Sequence, residues 1–218
     1  MAETRCAGLT LPVGKIVCVG RNYAAHAAEL GNERPAEPLL FLKPPTALLA
    51  GGGIVTLPAW SAEVHYEVEL VVRIGADGGG ANLAAAAAGK AVDAYAVGID
   101  FTARDVQAAA KKKGHPWAVA KGWDGSAPIS ELVPLDLVDR LKDVSITLDV
   151  NGDRRQDGRT RDMLWSVVEL LQYVSSRFSL EPGDLVFTGT PAGVGPVNSG
   201  DRIAAETAAA RLEVACVR

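Results

Sequence analysis

Hydrophobic and polar positions along the chain fall into short runs closed by glycine or proline, and strand-like runs outnumber helical ones. KIVCVG reads as a short buried strand, and NYAAHAAELG after it as a short helix, with Asn22 placed to cap its N-terminus and Gly31 to end it. PLLFLKPP returns as a strand stopped by two prolines, and GGGIVTLP as a turn and a further strand. In VHYEVELVVRIG the side chains alternate: Tyr66, Val68, Leu70, Val72 and Ile74 point one way, and His65, Glu67 and Glu69 the other. The alanine-rich NLAAAAAGKAVDAY predicts a helix. AVGIDF predicts a strand running into a helix, ARDVQAAAKKKG, closed by Gly114 and Pro116, with Thr102 and Asp105 spaced as a cap. Val144, Ile146, Leu148 and Val150 alternate up to an Asn151-Gly152 turn, a hairpin signal. TRDMLWSVVELLQYVSSRF is the best amphipathic helix, with Met163, Leu164, Val167, Val168, Leu171 and Val174 on one face. The expected class is α+β and strand-dominated, as one domain over residues 1–218 with residues 1–13 as a short N-terminal extension.

Composition narrows the field. Hydrophobic residues at 48% and charged residues at 22% are those of an ordinary globular domain, which at 218 residues buries a core without a covalent staple. Acidic side chains outnumber basic ones, 26 to 22, which opposes a nucleic-acid partner. Cys6, Cys18 and Cys216 are far apart and form no CxxC, so neither a zinc site nor a disulfide framework is indicated. The chain carries no apolar run long enough for a membrane span and no signal-peptide pattern, so a cytoplasmic protein with no membrane partner is expected.

The candidate chemistry begins with Glu67 and Glu69. Two carboxylates on one strand face lie about 6–7 Å apart. Their repulsion is on the order of 2–3 kcal/mol at an effective dielectric near 20. Such a pair needs a cation between its members or a face open to water, and the spacing leaves both readings standing. Asp100 falls where a buried strand turns into a helix. Three carboxylates with no thiolate suit a hard divalent ion, Mg²⁺ or Mn²⁺. His65 is either a further ligand or a neighbour that supports them. Arg104 and Gln107, three apart on a helix, share a face that can hold an anionic substrate, guanidinium to carboxylate and amide to carbonyl, or can simply meet water. His26 and Glu29 are also three apart; a carboxylate beside an imidazole makes a general base near neutral pH, and the same spacing is common in surface pairs. Lys121 is a candidate cation at a glycine turn. The run Lys111–Lys113 suits a helix C-terminus and is given no chemistry. GTPAGVG lacks the Gly-Lys-Ser/Thr of a phosphate loop, although Thr190 and its backbone amides can contact a carboxylate.

Taken in order, GRNYAAHAAELG, FLKPP, HYEVELVVRIG, VGIDFTARDVQ, KGWDGSAP and PGDLVFTGTPAGVG resemble the fumarylacetoacetate hydrolase family, and more closely its short, single-domain acylpyruvase-like branch, from Gly14 to Arg218. The resemblance implies a mixed β-sheet roll of that family's C-terminal-domain type, assembled as a homodimer. It places the metal on Glu67, Glu69 and Asp100, the catalytic pair on His26 and Glu29, and substrate contacts on Arg104, Gln107, Lys121 and Thr190. It implies a Mg²⁺- or Mn²⁺-dependent hydrolase cleaving the C–C bond of acylpyruvate-type 2,4-diketo acids. In that reaction His26 activates water, Lys121 and Gln107 take oxyanion charge, and Arg104 and Thr190 hold the small keto acid. The alternative is an oxaloacetate decarboxylase or keto–enol tautomerase using the same site, and a remote one is a ligand-binding module without catalysis. Trp123 stands where relatives often carry phenylalanine, a change expected to alter the pocket.

Overall fold

The computed structural model describes residues 2–29 and 34–218. Its centre is a curled mixed sheet in the order Leu39–Lys43, Ile16–Gly20, Leu185–Phe187, Val68–Ile74, Val92–Ile99, Ala127–Ile129, Leu48–Ala50, with Val133–Pro134 also paired to Val92–Ile99. Leu185–Phe187 runs parallel to Ile16–Gly20 and antiparallel to Val68–Ile74. All seven residues of Val68–Ile74 are buried, as expected of a strand covered on both faces. Val68, Leu70, Val72 and Ile74 face the larger core with Ile146, Leu148, Leu170 and Leu171, while Val71 packs with Cys18, Ile129 and Phe187 on the other side. A second sheet, in the order Asp153–Arg159, Ser145–Val150, Arg202–Glu206, Arg211–Val217, Gly53–Thr56, supplies part of that larger core. Its strands keep the alternation of a sheet with one wet face. The fold is thus the strand-dominated α+β roll that the resemblance implied.

Several elements follow the sequence pattern closely. The hairpin turns at Asn151 (φ 54°) and Gly152 (φ 88°), the two positive angles that a turn matched to strand twist requires. The helix Arg104–Lys113 ends at Gly114. The segment expected as an N-terminal extension forms a small hairpin, Glu3–Cys6 with Leu9–Pro12. Among the described residues, no helix is long and apolar enough to cross a membrane.

Others depart from it. The alternating run VHYEVELVVRIG is two strands, Val64–Tyr66 and Val68–Ile74, and Glu67 stands at the break. The first pairs with Thr102–Ala103 and Gly195–Val197, the second with the central sheet, so the chain changes sheets at the carboxylate. The alanine-rich helix spans only Ala85–Lys90, because Val92–Ile99 is drawn into pairing with Val68–Ile74. The amphipathic helix is Val167–Ser175, and Met163 and Leu164 lie before it. Ser166 and Glu169 form a reciprocal capping box there, whereas Leu164 donates its N–H to the carbonyl of Asn22 at 2.7 Å. Asn22 does not cap the helix Ala24–Glu29. Its amide donates to the carbonyls of Trp165 (3.0 Å) and Thr188 (2.8 Å), and its carbonyl accepts from Trp165 N–H (2.9 Å). Gly31, expected to end that helix, lies outside the described residues. Thr102 and Asp105 make no cap for Arg104–Lys113. Thr102 donates to Asp100 O, while Asp105 accepts from Ser61 Oγ (2.6 Å) and Ala62 N–H (2.9 Å).

The capping box gives a direct test of local stability. Ser166→Ala removes the acceptor for Glu169 N–H and is expected to cost about 1 kcal/mol, read as a lower urea midpoint at unchanged slope.

Candidate metal centre and active-site cleft

Strand register brings the three carboxylates together. Val68 pairs with Ile99 and Glu69 with Gly98, and Asp100 N–H donates to Glu67 O at 2.8 Å. Glu67 and Glu69 therefore lie beside Asp100 at the ends of neighbouring strands. One oxygen from each carboxylate falls within 4.8 Å of the others. Their exposures are 5%, 1% and 1%, which removes the reading of a solvated strand face.

Buried charge on this scale must be compensated. Lys121, on the short helix Ala118–Lys121, places Nζ 2.7 Å from Glu67 Oε2 and hydrogen-bonds Asp100 Oδ2. Arg104 donates to Glu67 Oε1. Lys43, at the end of Leu39–Lys43, donates to the carbonyls of Phe101 (3.3 Å), Ser126 (3.1 Å) and Lys121, and to Ser126 Oγ (3.0 Å). An ammonium has three protons, and these acceptors use them. Asp100 Oδ1, 2.9 Å from Lys43 Nζ, thus gains the charge but no aligned hydrogen bond, and it is a buried acceptor without a hydrogen-bond partner.

Compensation is unequal. Burial alone would raise the Glu67 carboxyl, but Lys121 and Arg104 hold it far below the usual carboxylate range. Glu69 has only the Gly189 N–H on Oε2 (2.6 Å) and, among the described residues, no ion pair. Burial, together with the charge of Asp100, pushes its carboxyl well up. Gly189 reaches it because φ is 101° and a Cβ there would lie 2.6 Å from Asn22 Cβ, so only glycine brings this backbone so close. An unpaired buried carboxylate, an orphaned Asp100 oxygen and an all-oxygen donor set fit a hard divalent ion. Glu67, Glu69 and Asp100 form a divalent-metal binding site of the Mg²⁺ or Mn²⁺ type.

The remaining residues surround one small cavity, about 30 Å³, room for one or two water-sized groups. The three carboxylates, His26, Arg104, Gln107, Lys121 and Thr190 all line it. Glu29 stands behind His26: its Oε2 is 3.6 Å from Nδ1, too long for a hydrogen bond, and both its oxygens accept from Gly193 N–H at 3.1 Å. Burial lowers the His26 pKa below its ordinary value, outweighing the opposite pull of Glu67 and Glu29. Burial also opposes the charge of Lys121, yet Asp100 and Glu67 raise its pKa above that of a free lysine. Arg104 is braced on both sides. Its Nη1 donates to Gln107 Oε1 (2.7 Å) and its Nε to His65 Nδ1 (3.3 Å), while His65 Nε2 meets Glu63 at 2.7 Å. His65 is accordingly a support for Arg104. Thr190 Oγ1 accepts from Gln156 Nε2 at 2.8 Å.

Four contributors escaped the sequence reading. Lys43 carried a signal, a lone charge closing an apolar strand before two prolines. Arg21 and Lys111 also line the cleft, although Lys111 was assigned only to a helix end. Gln156 is fully buried within a run, DRRQDGR, that reads as surface. Trp123, expected to reshape the pocket, is not part of this cleft; it lines an apolar depression with Trp60 and Val119.

The comparisons with known proteins agree with this geometry. A profile described as Fumarylacetoacetate (FAA) hydrolase C-terminal matches residues 15–215. The mitochondrial oxaloacetate decarboxylase of Dictyostelium discoideum is 47% identical over 190 residues, 87% of this chain and 86% of that protein. The mitochondrial oxaloacetate tautomerase FAHD1 of Arabidopsis thaliana is 47% identical over 191 residues, 88% of this chain and 85% of that protein. The crystal structure of fumarylpyruvate hydrolase from Pseudomonas aeruginosa, in complex with Mn²⁺ and pyruvate, matches with a TM-score of 0.93 at 40% identity, covering 99% of this chain and 95% of that one. The expected cytoplasmic placement is overturned by the first two relatives, both mitochondrial. Compartment leaves no mark on the packing of a folded domain, so composition was a poor guide to it.

Glu69→Gln separates charge compensation from packing. The amide still accepts from Gly189 but brings no buried charge, so the metal-free variant is expected to melt at or above the wild-type temperature. The upward shift that millimolar Mg²⁺ or Mn²⁺ gives the wild type is expected to disappear, as read by scanning calorimetry.

Proposed function

The chain belongs to the fumarylacetoacetate hydrolase family and is a metal-dependent enzyme acting on a 2-oxo acid, and on that premise we propose that it interconverts the keto and enol forms of oxaloacetate. What supports this reading is that His26, its pKa lowered, and Lys121, its pKa raised, line one cavity beside the metal carboxylates, as a neutral base and a persistent cation would. Glu67, Glu69 and Asp100 would hold a divalent ion, whose chemistry there would be Lewis acidity toward the 2-oxo group. His26, uncharged near pH 7, removes the C3 proton and returns it to the enolate oxygen. Lys121 keeps its own proton and stabilises the enolate by charge. Arg104, braced by His65 and Gln107, takes the C1 carboxylate in a fork, and the free amide of Gln107 and the Thr190 hydroxyl complete the contacts. Nothing in this sequence needs a water molecule or breaks a C–C bond. Relatives 47% identical that act on oxaloacetate support it. Decarboxylation draws on the same stabilised enolate.

Acylpyruvate hydrolysis is the second reading, favoured by Glu29 standing 3.6 Å from His26, from where a side-chain rotation would bring the carboxylate into hydrogen-bond reach of the imidazole to activate water. The 40% identical fumarylpyruvate hydrolase points the same way.

The test follows enol absorbance in stopped flow with Mg²⁺-loaded protein, beside pyruvate release from acetylpyruvate. Enol loss is expected to exceed the buffer rate and to fall by about 10²-fold or more in His26→Ala. Cleavage outrunning tautomerisation hands the site to hydrolysis. The base form of His26 is the active one, so kcat/KM is expected to drop as pH falls through a pKa below 6.5 and to level off above it.

A further inference from the structure

We propose that Arg21 and Lys111 form an anion subsite at the cleft that binds the distal carboxylate of a dicarboxylic 2-oxo acid. The inference rests on the tautomerase reading, which seats the C1 carboxylate and 2-oxo group at Arg104 and the carboxylate cluster.

The two cations come from different elements and line the same cavity as Arg104 and Gln107. Lys111 follows Arg104 by seven residues and Gln107 by four, so the three share one face of the helix Arg104–Lys113. Each turn rises about 5.4 Å, and side chains lean toward the helix N-terminus, which carries the Lys111 ammonium back over the cleft. Its Nζ lies 5.3 Å from the Trp117 ring centroid, and Trp117 lines the cavity too. Lys112 and Lys113 already supply the positive charge that suits the helix end, so Lys111 is not needed for it.

Arg21 stands just past the strand Ile16–Gly20 with φ at 61°, the left-handed region that residues other than glycine, asparagine and aspartate rarely enter. The next residue is what holds it there. Asn22 is fully buried and tied by three side-chain hydrogen bonds to Trp165 and Thr188. Strain of this kind persists where surrounding structure enforces it, and here it sets an arginine on the wall of the cleft.

Neither cation has a carboxylate within 4.0 Å among the described residues, whereas Arg104 and Lys121 both do. Burial lowers the Lys111 pKa, and the charge of Arg21 lowers it further, so two like charges face one space. The cavity wall carries four cations, Arg21, Arg104, Lys111 and Lys121, against the three metal carboxylates. With a divalent ion added, that balance favours a dianion over a monoanion of equal size.

Calorimetry on the Mg²⁺-loaded full chain tests this with two stable probes, malate and its 4-methyl ester, which differ by one negative charge. The wild type is expected to bind malate about tenfold more tightly or better, the worth of one charge-assisted contact. Arg21→Asn keeps a residue that tolerates the left-handed backbone, and Lys111→Gln lies on an exposed site, so the second decides the matter if the first fails to fold. Each is expected to cut the preference about threefold or more, and the pair to bring it near one, while affinity for the ester holds. A preference that survives in the double variant, an equal loss for both probes, or a wild type that does not discriminate overturns the subsite. Retained preference without enol turnover overturns the tautomerase reading and leaves the subsite standing.

Discussion

Three carboxylates, all at least 95% buried, sit at the ends of neighbouring strands, and the rest of the molecule is organised by the need to balance them. Two are met by cations from unrelated parts of the chain: Lys43 from a strand end, Lys121 from a short helix, Arg104 from the first turn of a longer one. The third, Glu69, is met by a single backbone N–H. With no cation beside it, burial drives the Glu69 carboxyl toward its neutral form, and a bound divalent ion would restore the carboxylate. Lys43 makes the arrangement rigid. Its ammonium ties Phe101, Lys121 and Ser126 through their carbonyls and so fixes the frame on which Asp100 and Lys121 stand.

A second tie holds the substrate side. Asn22 links the start of the His26 helix to Trp165 and Thr188, and Gly189, packed against Asn22, aims its N–H at Glu69. One buried amide thus connects the helix that carries His26, the TGTP segment and the backbone N–H that meets Glu69. A substitution at Asn22 acts on all three, which is why the residue is better understood as a joint than as a helix cap.

What was legible in the sequence was whatever depends on local chemistry. The Asn151-Gly152 turn, the Gly114 stop and the apolar periodicity of Val68–Ile74 are decided by backbone angles and side-chain alternation within a few residues. Residues set in place by distant partners were misread. Asn22 reads as a cap until Trp165 claims its side chain, and Ala91 and Val92 read as helix until Ile74 claims the strand. Glu67 and Glu69 read as one strand face because alternation cannot report the change of sheet at Glu67. Gln156 had no signal at all, since nothing in DRRQDGR tells that its fourth residue bonds Val68 N–H and Thr190 in the interior. The resemblance of six ordered segments carried the site assignments, where spacing left each residue with two readings.

The same geometry explains why enolate chemistry is the reading with fewest demands. Removing a proton beside a polarised carbonyl needs one neutral base and a field that favours the resulting charge, and on the proposed reading these are His26 and Lys121, which line the same cavity. Hydrolysis asks for more: a water held on the far side of the distal carbonyl, an imidazole oriented by Glu29, and a proton carried to the leaving carbon. At 3.6 Å the Glu29 carboxylate does not yet orient His26, and its oxygens are engaged by Gly193. Closing that gap is a side-chain rotation within the helix Ala24–Glu29, which carries both residues, not a change in the metal centre. The two readings therefore differ at the His26–Glu29 pair and not at the core that buries Glu67, Glu69 and Asp100, which is common to both.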